Sequence, residues 1–157
     1  MEQLAQEFRR RFSGVRVDKV LTVEASGIAI ATLVAQAFGV PLVFAKKAKT
    51  ANLPDDVYAA TVRSYTHGNV NQVIVSKEFL HSGEHVLLID DFLAHGEALQ
   101  GLIDLVSQAG GTVAGAGILI EKAFQDGGQR IRSQGVRVES LARVQSMGDD
   151  GEITFAD

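Results

Sequence analysis

Apolar residues recur along the chain with two alternating periods. Residues 2–12, 28–38 and 97–109 repeat apolar positions at helical spacing, and glycine follows the last two segments. Because helices and strands alternate and several strands are apolar on both faces, the pattern predicts an α/β fold with a mainly parallel central sheet flanked by helices. The predicted strands are short runs rich in branched apolar residues, at 17–23, 41–45, 85–90, 112–122, 136–144 and 152–156.

One segment interrupts this alternation. Residues 57–66 alternate between apolar and polar positions, "HGN" follows as a turn, and residues 70–76 resume the strand pattern. This arrangement predicts an antiparallel hairpin, which either projects from the sheet or adds an edge to it. The polar residues 46–56 before the hairpin predict a long loop, and residues 127–134 predict a short helix or a turn.

The bulk composition narrows the class of protein. The 157 residues predict a single domain spanning 1–157, with the apolar and charged content of a globular protein. A net charge of −4 argues against nucleic acid as the main partner. The lack of cysteine excludes disulfides and thiolate metal sites, and it fits a cytoplasmic protein. Gln36, Gly39 and Pro41 interrupt the most apolar run, residues 27–45, so the sequence predicts no membrane span.

Two adjacent acids, Asp90 and Asp91, follow the strand pattern in "HVLLIDDFLAHGEALQG". Ligands of open α/β sheets bind beyond the carboxyl ends of the strands, and the helix start after this loop suits a phosphate. The acid pair suits hydroxyl groups, or a cation that bridges to phosphate. The alternative is one solvated acid and one helix-capping acid. The chain contains no G-x-G-x-x-G after a strand and no G-x-x-x-x-G-K-[ST], which argues against dinucleotide binding and P-loop hydrolysis.

The segment "VLLIDDFLAHGEA" resembles the phosphoribosyl-diphosphate signature of type I phosphoribosyltransferases. The segments "VEASGIA", "PLVFAKKAKT", "GILIEKAFQDGG" and "VRVESLARVQSM" are similar to the bacterial xanthine phosphoribosyltransferases, in the same order and over essentially the whole chain. The resemblance implies the type I fold, with a parallel sheet, a projecting hairpin and a hood over the base. It also implies purine salvage: 5-phosphoribosyl passes from phosphoribosyl diphosphate to xanthine, giving xanthosine 5′-monophosphate and diphosphate. Mg²⁺ and a homodimer are implied as well.

The same resemblance assigns the phosphoribosyl side of the site. Asp90 and Asp91 would face the ribose hydroxyls as catalytic residues, and Mg²⁺ would be carried mainly by the substrate, so no protein metal ligand is named. One position departs from the family, because His95 stands where threonine, serine or asparagine is familiar; an ordinary exposed histidine is the alternative. The 5-phosphate would lie in the loop Ala94, His95, Gly96, Glu97 and Ala98.

Three further segments are assigned to phosphoribosyl diphosphate by resemblance. Ala25 and Ser26 would form a diphosphate loop, which in the family often carries a cis non-proline peptide; a plain turn with a capping serine is the alternative. Lys47 belongs to a basic run with Lys46 and Lys49. It would reach the diphosphate, in its own or the neighbouring subunit's site, although basic runs are usually solvated loops. Ser64 and Tyr65 match a loop that closes over the reacting centre, and a cross-strand core tyrosine is the alternative.

The base side rests on fewer residues. Lys122 matches a family lysine that recognises an exocyclic oxygen of the purine, and as a donor it suits an oxo group better than adenine's amino group. Phe124 would stack on the base. The alternatives are a lysine that simply reaches solvent and a packed core phenylalanine.

Relatives carry an N-terminal segment before the helix at 2–12, and this segment supplies much of the hood. The resemblance therefore implies a reduced hood for this chain and weak xanthine turnover. The alternative function is a phosphoribosyl-diphosphate-binding regulatory protein or an inactive truncated relative. Purine-operon repressors use the fold in that way, but they add an N-terminal DNA-binding domain and a basic surface.

Overall fold

The computed structural model of the chain describes residues 1–48, 53–63, 70–148 and 151–156. Helices and strands alternate through these residues, which confirms the predicted α/β class. None of the helices in these ranges is long and apolar enough to span a bilayer. The helices are α1 (Glu2–Arg11), α2 (Gly27–Phe38), α3 (Glu97–Gln108) and α4 (Gly127–Ser133). The strands are β1 (Lys19–Val23), β2 (Leu42–Ala48), β3 (Val57–Arg63), β4 (Val70–Ser76), β5 (His85–Leu93), β6 (Thr112–Lys122), β7 (Val138–Met147) and β8 (Ile153–Phe155).

The strands form one mixed sheet in the order β3-β4-β2-β1-β5-β6-β7-β8. The five strands from β2 to β7 in this order are parallel to one another, as the buried apolar runs predict. The hairpin β3-β4 pairs antiparallel with β2, so it adds an edge to the sheet, which was one of the two predicted alternatives. Strand β8 closes the other edge, antiparallel to β7.

Helices cover both faces of the sheet. On one face, Phe8, Phe12 and the apolar side of α2 pack against β1 and β5. Two glycines of β6 admit these rings, because a Cβ at Gly117 would lie 2.9 Å from the Phe8 ring and one at Gly115 would meet Phe12. Leu4 stands at the same four-residue spacing as Phe8 and Phe12 in the predicted helix, but it is exposed, and Ala5 takes the buried position instead. On the other face α3 buries its leucines in the larger core.

Three strands extend beyond the ends that their apolar runs predict. Lys46, Lys47 and Ala48 continue β2 because they pair with β4. The predicted loop 46–56 is therefore wrong at its start. Strand β7 continues to Met147 because β8 pairs with it, and β5 continues to Leu93 beside β6. In each case hydrogen bonding to a neighbouring strand outweighs the polar composition of the segment.

Candidate active site

The acid pair lies within β5 and does not terminate it, which corrects the interpretation that the strand ends at Asp90. The ladder with β6 continues through Asp90 and on to Leu93. The ladder with β1 ends at Leu88, so the last part of β5 extends past its other neighbour. This geometry carries both acids beyond the middle of the sheet, at the edge where ligands of parallel sheets bind.

The two carboxyl groups have different surroundings. Asp90 is 6% exposed, whereas the next side chain, Asp91, is only half-buried. The backbone N–H of Asp91 donates to Asp90 Oδ1 at 3.0 Å. Burial, followed by the side-chain hydrogen bond and the negative charge of Asp91, raises the pKa of Asp90 to about 7, while this backbone bond and the positive charge of Lys47 act in the opposite direction. Asp90 can therefore hold or release a proton near neutral pH, as groups at reaction centres often do.

The loop after β5 has the shape of an anion site. Gly96 adopts a left-handed conformation with φ +78°, and α3 begins at the next residue. The backbone N–H groups in the first turn of a helix have no partners within the helix, and its dipole favours an anion. A Cβ at Gly96 would lie 3.3 Å from the Cα of Gly127, and the N–H of Gly127 donates to the Ala94 carbonyl at 3.2 Å. The loop is thus fixed from behind by the start of α4.

Two side-chain pairs strengthen this contact with α4. Nδ1 of His95 lies 3.1 Å from Oδ1 of Asp126, and this bond lowers the pKa of Asp126. Nη1 of Arg130 donates to Oε1 of Glu97 at 2.6 Å. His95 is therefore paired with a carboxylate, although 38% of its side chain is exposed, and its contact with phosphate stays a prediction. The Glu97 carboxylate is directed to Arg130, which leaves the backbone of the loop as its anion-binding element.

A cavity of about 340 Å³ brings most of the predicted phosphoribosyl residues together. Its volume lies in the range of small-molecule sites. Phe92 and Asn71 also line it, and sequence reasoning missed both. Asn71 comes from the hairpin, so no local pattern links it to the acids, whereas Phe92 directly follows them and 50% of it is exposed. The predicted residues in the lining are Lys47, Asp90, Ala94, His95, Gly96, Glu97 and Ala98.

A second helix start lies against Asp90. The Glu24–Ala25 peptide bond is cis, as the resemblance implies for this loop. A Cβ at Gly27, the first residue of α2, would collide with Thr22 and would lie 3.1 Å from Oδ1 of Asp90. The loop of Ala25 and Ser26 therefore leads directly to the buried acid.

Two side chains at this loop, those of Ser26 and Glu24, differ in their contacts. Ser26 stands at the N-cap position, but within the described ranges its side chain makes no capping bond. The capping alternative therefore does not hold. Oε1 of Glu24 accepts a hydrogen bond from the backbone N–H of Lys47 at 2.7 Å, which ties β2 to the same loop.

The base-side residues lie one strand away from the acids. Lys122 is half-buried at the end of β6, the strand paired with β5. Phe124 is 47% exposed in the following loop, so the alternative of a packed core phenylalanine is wrong. Neither residue is part of the 340 Å³ cavity lining. Ser64 and Tyr65, and the contact predicted for them, lie outside the described residues.

Comparison with known proteins gives a consistent result. Residues 1–132 match the phosphoribosyl transferase domain family. The chain is 50% identical over 157 residues to the xanthine phosphoribosyltransferase of Alkaliphilus metalliredigens, an alignment that covers 100% of this chain and 77% of that protein. It is 53% identical over 156 residues to the xanthine phosphoribosyltransferase of Bifidobacterium longum, covering 98% of this chain and 81% of the relative.

Solved structures share the fold. An APRTase from Giardia lamblia complexed with 9-deazaadenine superposes with a TM-score of 0.79 at 27% identity, over 89% of this chain and 77% of that one. The adenine phosphoribosyltransferase from Thermoanaerobacter pseudethanolicus gives a TM-score of 0.76 at 25% identity, over 90% and 78% of the two chains. The two sequence relatives are named for xanthine, whereas the two solved structures are named for adenine or contain 9-deazaadenine. All four are named as phosphoribosyltransferases.

Proposed function

Because the chain belongs to the phosphoribosyltransferase family, we propose that it is a purine salvage enzyme that converts xanthine and phosphoribosyl diphosphate to xanthosine 5′-monophosphate and diphosphate. One observation carries this proposal: a single cavity unites the buried Asp90, the anion-binding loop at Gly96 and the cation Lys47. These are the groups that a phosphorylated sugar with an anionic leaving group requires. Relatives at about half identity over the whole chain bear the name of this activity.

The phosphoribosyl half of the reaction follows from the loop and the acids. Backbone N–H groups of the loop at residues 94–98 bind the 5-phosphate at the start of α3. Asp90 and Asp91 orient the ribose hydroxyls and stabilise the positive charge that develops on the ring as the bond at the anomeric carbon breaks. With its pKa raised to about 7, Asp90 is also the carboxyl suited to accept a proton from the incoming base.

The diphosphate half involves the loop of Ala25 and Ser26, together with Lys47. The start of α2 offers further N–H groups to the leaving group, and Lys47 offers a positive charge. Ser64 and Tyr65 close over the centre in this proposal and exclude water.

Magnesium fits the donor set, because adjacent carboxylates offer the oxygen atoms that it prefers. The described residues contain no group of three or more His, Asp or Glu placed to hold a metal, so substrate oxygens would supply most of its ligands. Asp90 and Asp91 would hold it through the ribose hydroxyls. When bound, the ion lowers the charge on the leaving diphosphate.

The choice of base depends on Lys122 and Phe124. The ammonium group of Lys122 can only donate, so it pairs with an oxo group and leaves adenine's amino group without an acceptor. The exposed ring of Phe124 is available for stacking on the purine. We place the enzyme in the cytoplasm as a homodimer, in which Lys47 serves its own or the neighbouring subunit's site. The lack of cysteine is in line with that location.

Diphosphate release tests this function directly. The protein is mixed with Mg²⁺, phosphoribosyl diphosphate and, in turn, xanthine, hypoxanthine, guanine or adenine. Release is expected to be fastest with xanthine and slowest with adenine. Calorimetric binding of phosphoribosyl diphosphate without release from any base would overturn the enzyme assignment in favour of a regulatory binder. Fastest release with adenine would overturn the assigned base.

A further inference from the structure

A buried carboxylate, Glu121, lies next to the base-side lysine in the sequence. Glu121 lies near the end of β6 and is 2% exposed. Nη1 and Nη2 of Arg132 donate to its two oxygens, each at 2.7 Å, and the hydroxyl of Ser140 donates to Oε2 at 2.6 Å. Nε of Arg143 lies 3.5 Å from Oε2. Burial opposes the charged form, but the bonds from Arg132 and Ser140 keep the pKa of Glu121 below its usual range.

This carboxylate contacts helix α4 near both of its ends. A side chain at Gly128 would collide with the carboxylate of Glu121, so the first turn of α4 lies directly on it. Arg132, near the end of the same helix, makes the two-bond contact. A planar guanidinium that pairs with both carboxylate oxygens restricts orientation as well as distance. Glu121 therefore determines where α4 lies relative to β6.

Helix α4 also contacts the phosphate loop. Its first residue, Gly127, donates to the Ala94 carbonyl, and Arg130 pairs with Glu97. One helix thus touches the loop assigned to the 5-phosphate and the strand that carries Lys122. The five residues from Lys122 to Asp126 link these two anchors, and their own backbone contacts include Ala123 N–H to the Val144 carbonyl at 2.7 Å.

We propose that Glu121 is a positioning residue for base recognition: its bonds to Arg132 and Ser140 hold the Lys122 and Phe124 loop at a fixed distance from the phosphate loop. This inference rests on the proposed function. Phe124 is too exposed for packing to set its position, so the position comes from the anchors of the loop. Removing one partner of a buried ion pair usually destabilises the fold, so the test has to separate a change in the geometry of the site from a loss of folding.

The substitution Glu121→Gln tests the inference, because it preserves side-chain size and removes the charge that draws both arms of Arg132. The KM for the base with the fastest diphosphate release should rise by about tenfold, within the roughly 100-fold cost of a misplacement of about 1 Å. The kcat and the Kd for phosphoribosyl diphosphate should stay within about twofold of the parent values. Glu7→Gln is the matched control, because Glu7 in α1 accepts the same kind of two-bond contact from one arginine, Arg10. It should leave all three constants unchanged.

Two more variants make each outcome decisive. Arg132→Lys keeps the charge but loses the two-bond geometry, and it should raise the same KM even if Glu121→Gln does not fold. Lys122→Met reports on the base site itself. If Lys122→Met leaves the KM for the base unchanged, the base assignment of the proposed function fails. If Lys122→Met raises this KM but Glu121→Gln or, where that variant does not fold, Arg132→Lys does not, the positioning role is overturned. An equal rise in the constants for both substrates also overturns it.

Discussion

The two halves of the candidate site are built in different ways. The phosphoribosyl half consists of backbone and buried groups: a left-handed glycine at Gly96, the start of α3 and Asp90 at 6% exposure. The base half consists of side chains near the surface, with Lys122 half-buried and Phe124 47% exposed. The first half is fixed by β5 and by the short contact between its loop and the start of α4. The second half depends on a loop that α4 holds at both ends.

This difference separates the chemistry from the specificity. A backbone loop recognises any 5-phosphate, and the buried acid can serve any ribosyl transfer, so these parts suit every member of a transferase family. Side chains of the base half can be replaced, so that a different purine is bound, without disturbing the sheet. The relatives fit this division, because their names share one transfer reaction but carry either xanthine or adenine. Variants in each half should therefore affect different kinetic constants.

The largest effect should come from the acid pair. Asp91→Asn keeps the shape of the half-buried side chain and removes its charge, so less positive charge on the ribose ring is stabilised in the transition state. The kcat should fall by about 100-fold or more, comparable to the loss of one electrostatic group in other enzymes. Steady-state diphosphate release measures the change. Parent rates in Asp91→Asn would remove this residue from the catalytic centre.

The next effect should come from the backbone of the phosphate loop. Gly96→Ala places a Cβ at φ +78°, 3.3 Å from the Cα of Gly127, and should displace the loop. The Kd for phosphoribosyl diphosphate, measured by calorimetry, should rise by about tenfold or more, because the N–H groups lose their alignment. The KM for the base should change less.

Gly135→Ala is the matched control for backbone strain. Gly135 also has a positive φ, +83°, but a Cβ there meets nothing within 4 Å. Both alanine variants should lose about 1 kcal/mol of unfolding free energy, since the left-handed conformation disfavours a side chain in each. Only Gly96→Ala should lose substrate affinity. Equal affinities in the two variants would show that the loop does not bind the phosphate.

A smaller effect is expected in the base half, at Lys122. Lys122→Met removes the donor to the purine oxygen and keeps the length of the side chain, so the KM for xanthine should rise by about tenfold, near the value of one hydrogen bond to a charged group. The Kd for phosphoribosyl diphosphate should not change. Lys77→Met is the control, because Lys77 is exposed and donates to the Asp55 carbonyl. A changed Kd in Lys122→Met would contradict the separation into two halves.

The phosphate half was also the more predictable half, for the same physical reason. Its acids, loop and helix start are contiguous in the sequence, and Gly96 carries a local signal for the turn. The positive φ of Gly39 at the end of α2 follows from the same kind of local rule. Asn71 reaches the cavity only because the hairpin pairs with β2, and such long-range pairing leaves no local pattern.

The base half was harder to predict from the sequence, because the burial of its charged residues depends on distant elements. Glu121 and Lys122 are adjacent charged residues after an apolar run, which is typical of a strand that reaches solvent. The structure instead buries Glu121, because Arg132 and Ser140 meet it from α4 and β7. The extension of β5 to Leu93 was missed for a similar reason, since the partner strand β6 determines it.

The buried acid Asp90 should also make the stability of the protein depend on pH. Burial raises the pKa of Asp90 from an ordinary 3.8 to about 7. Below pH 3.8 the acid is protonated in both the folded and the unfolded state. Between pH 3.8 and about 7 the unfolded chain releases this proton while the folded chain keeps it, so Asp90 lowers the free energy of unfolding as the pH rises. Above about pH 7 both states are ionised and the loss is constant.

Asp90→Asn removes this titration while it keeps the shape of the side chain. The free energy of unfolding of Asp90→Asn minus that of the parent should therefore grow from about pH 4 to about pH 7 and then level off, with a total change on the order of a few kcal/mol. Urea unfolding across this range measures the difference, in which titrations common to both proteins cancel. Asp55→Asn, at an exposed acid before β3, controls for the loss of one negative charge. A difference that stays flat with pH would mean that Asp90 is ionised throughout, and the contrast between a buried, proton-holding acid and its half-buried neighbour Asp91 would then fail.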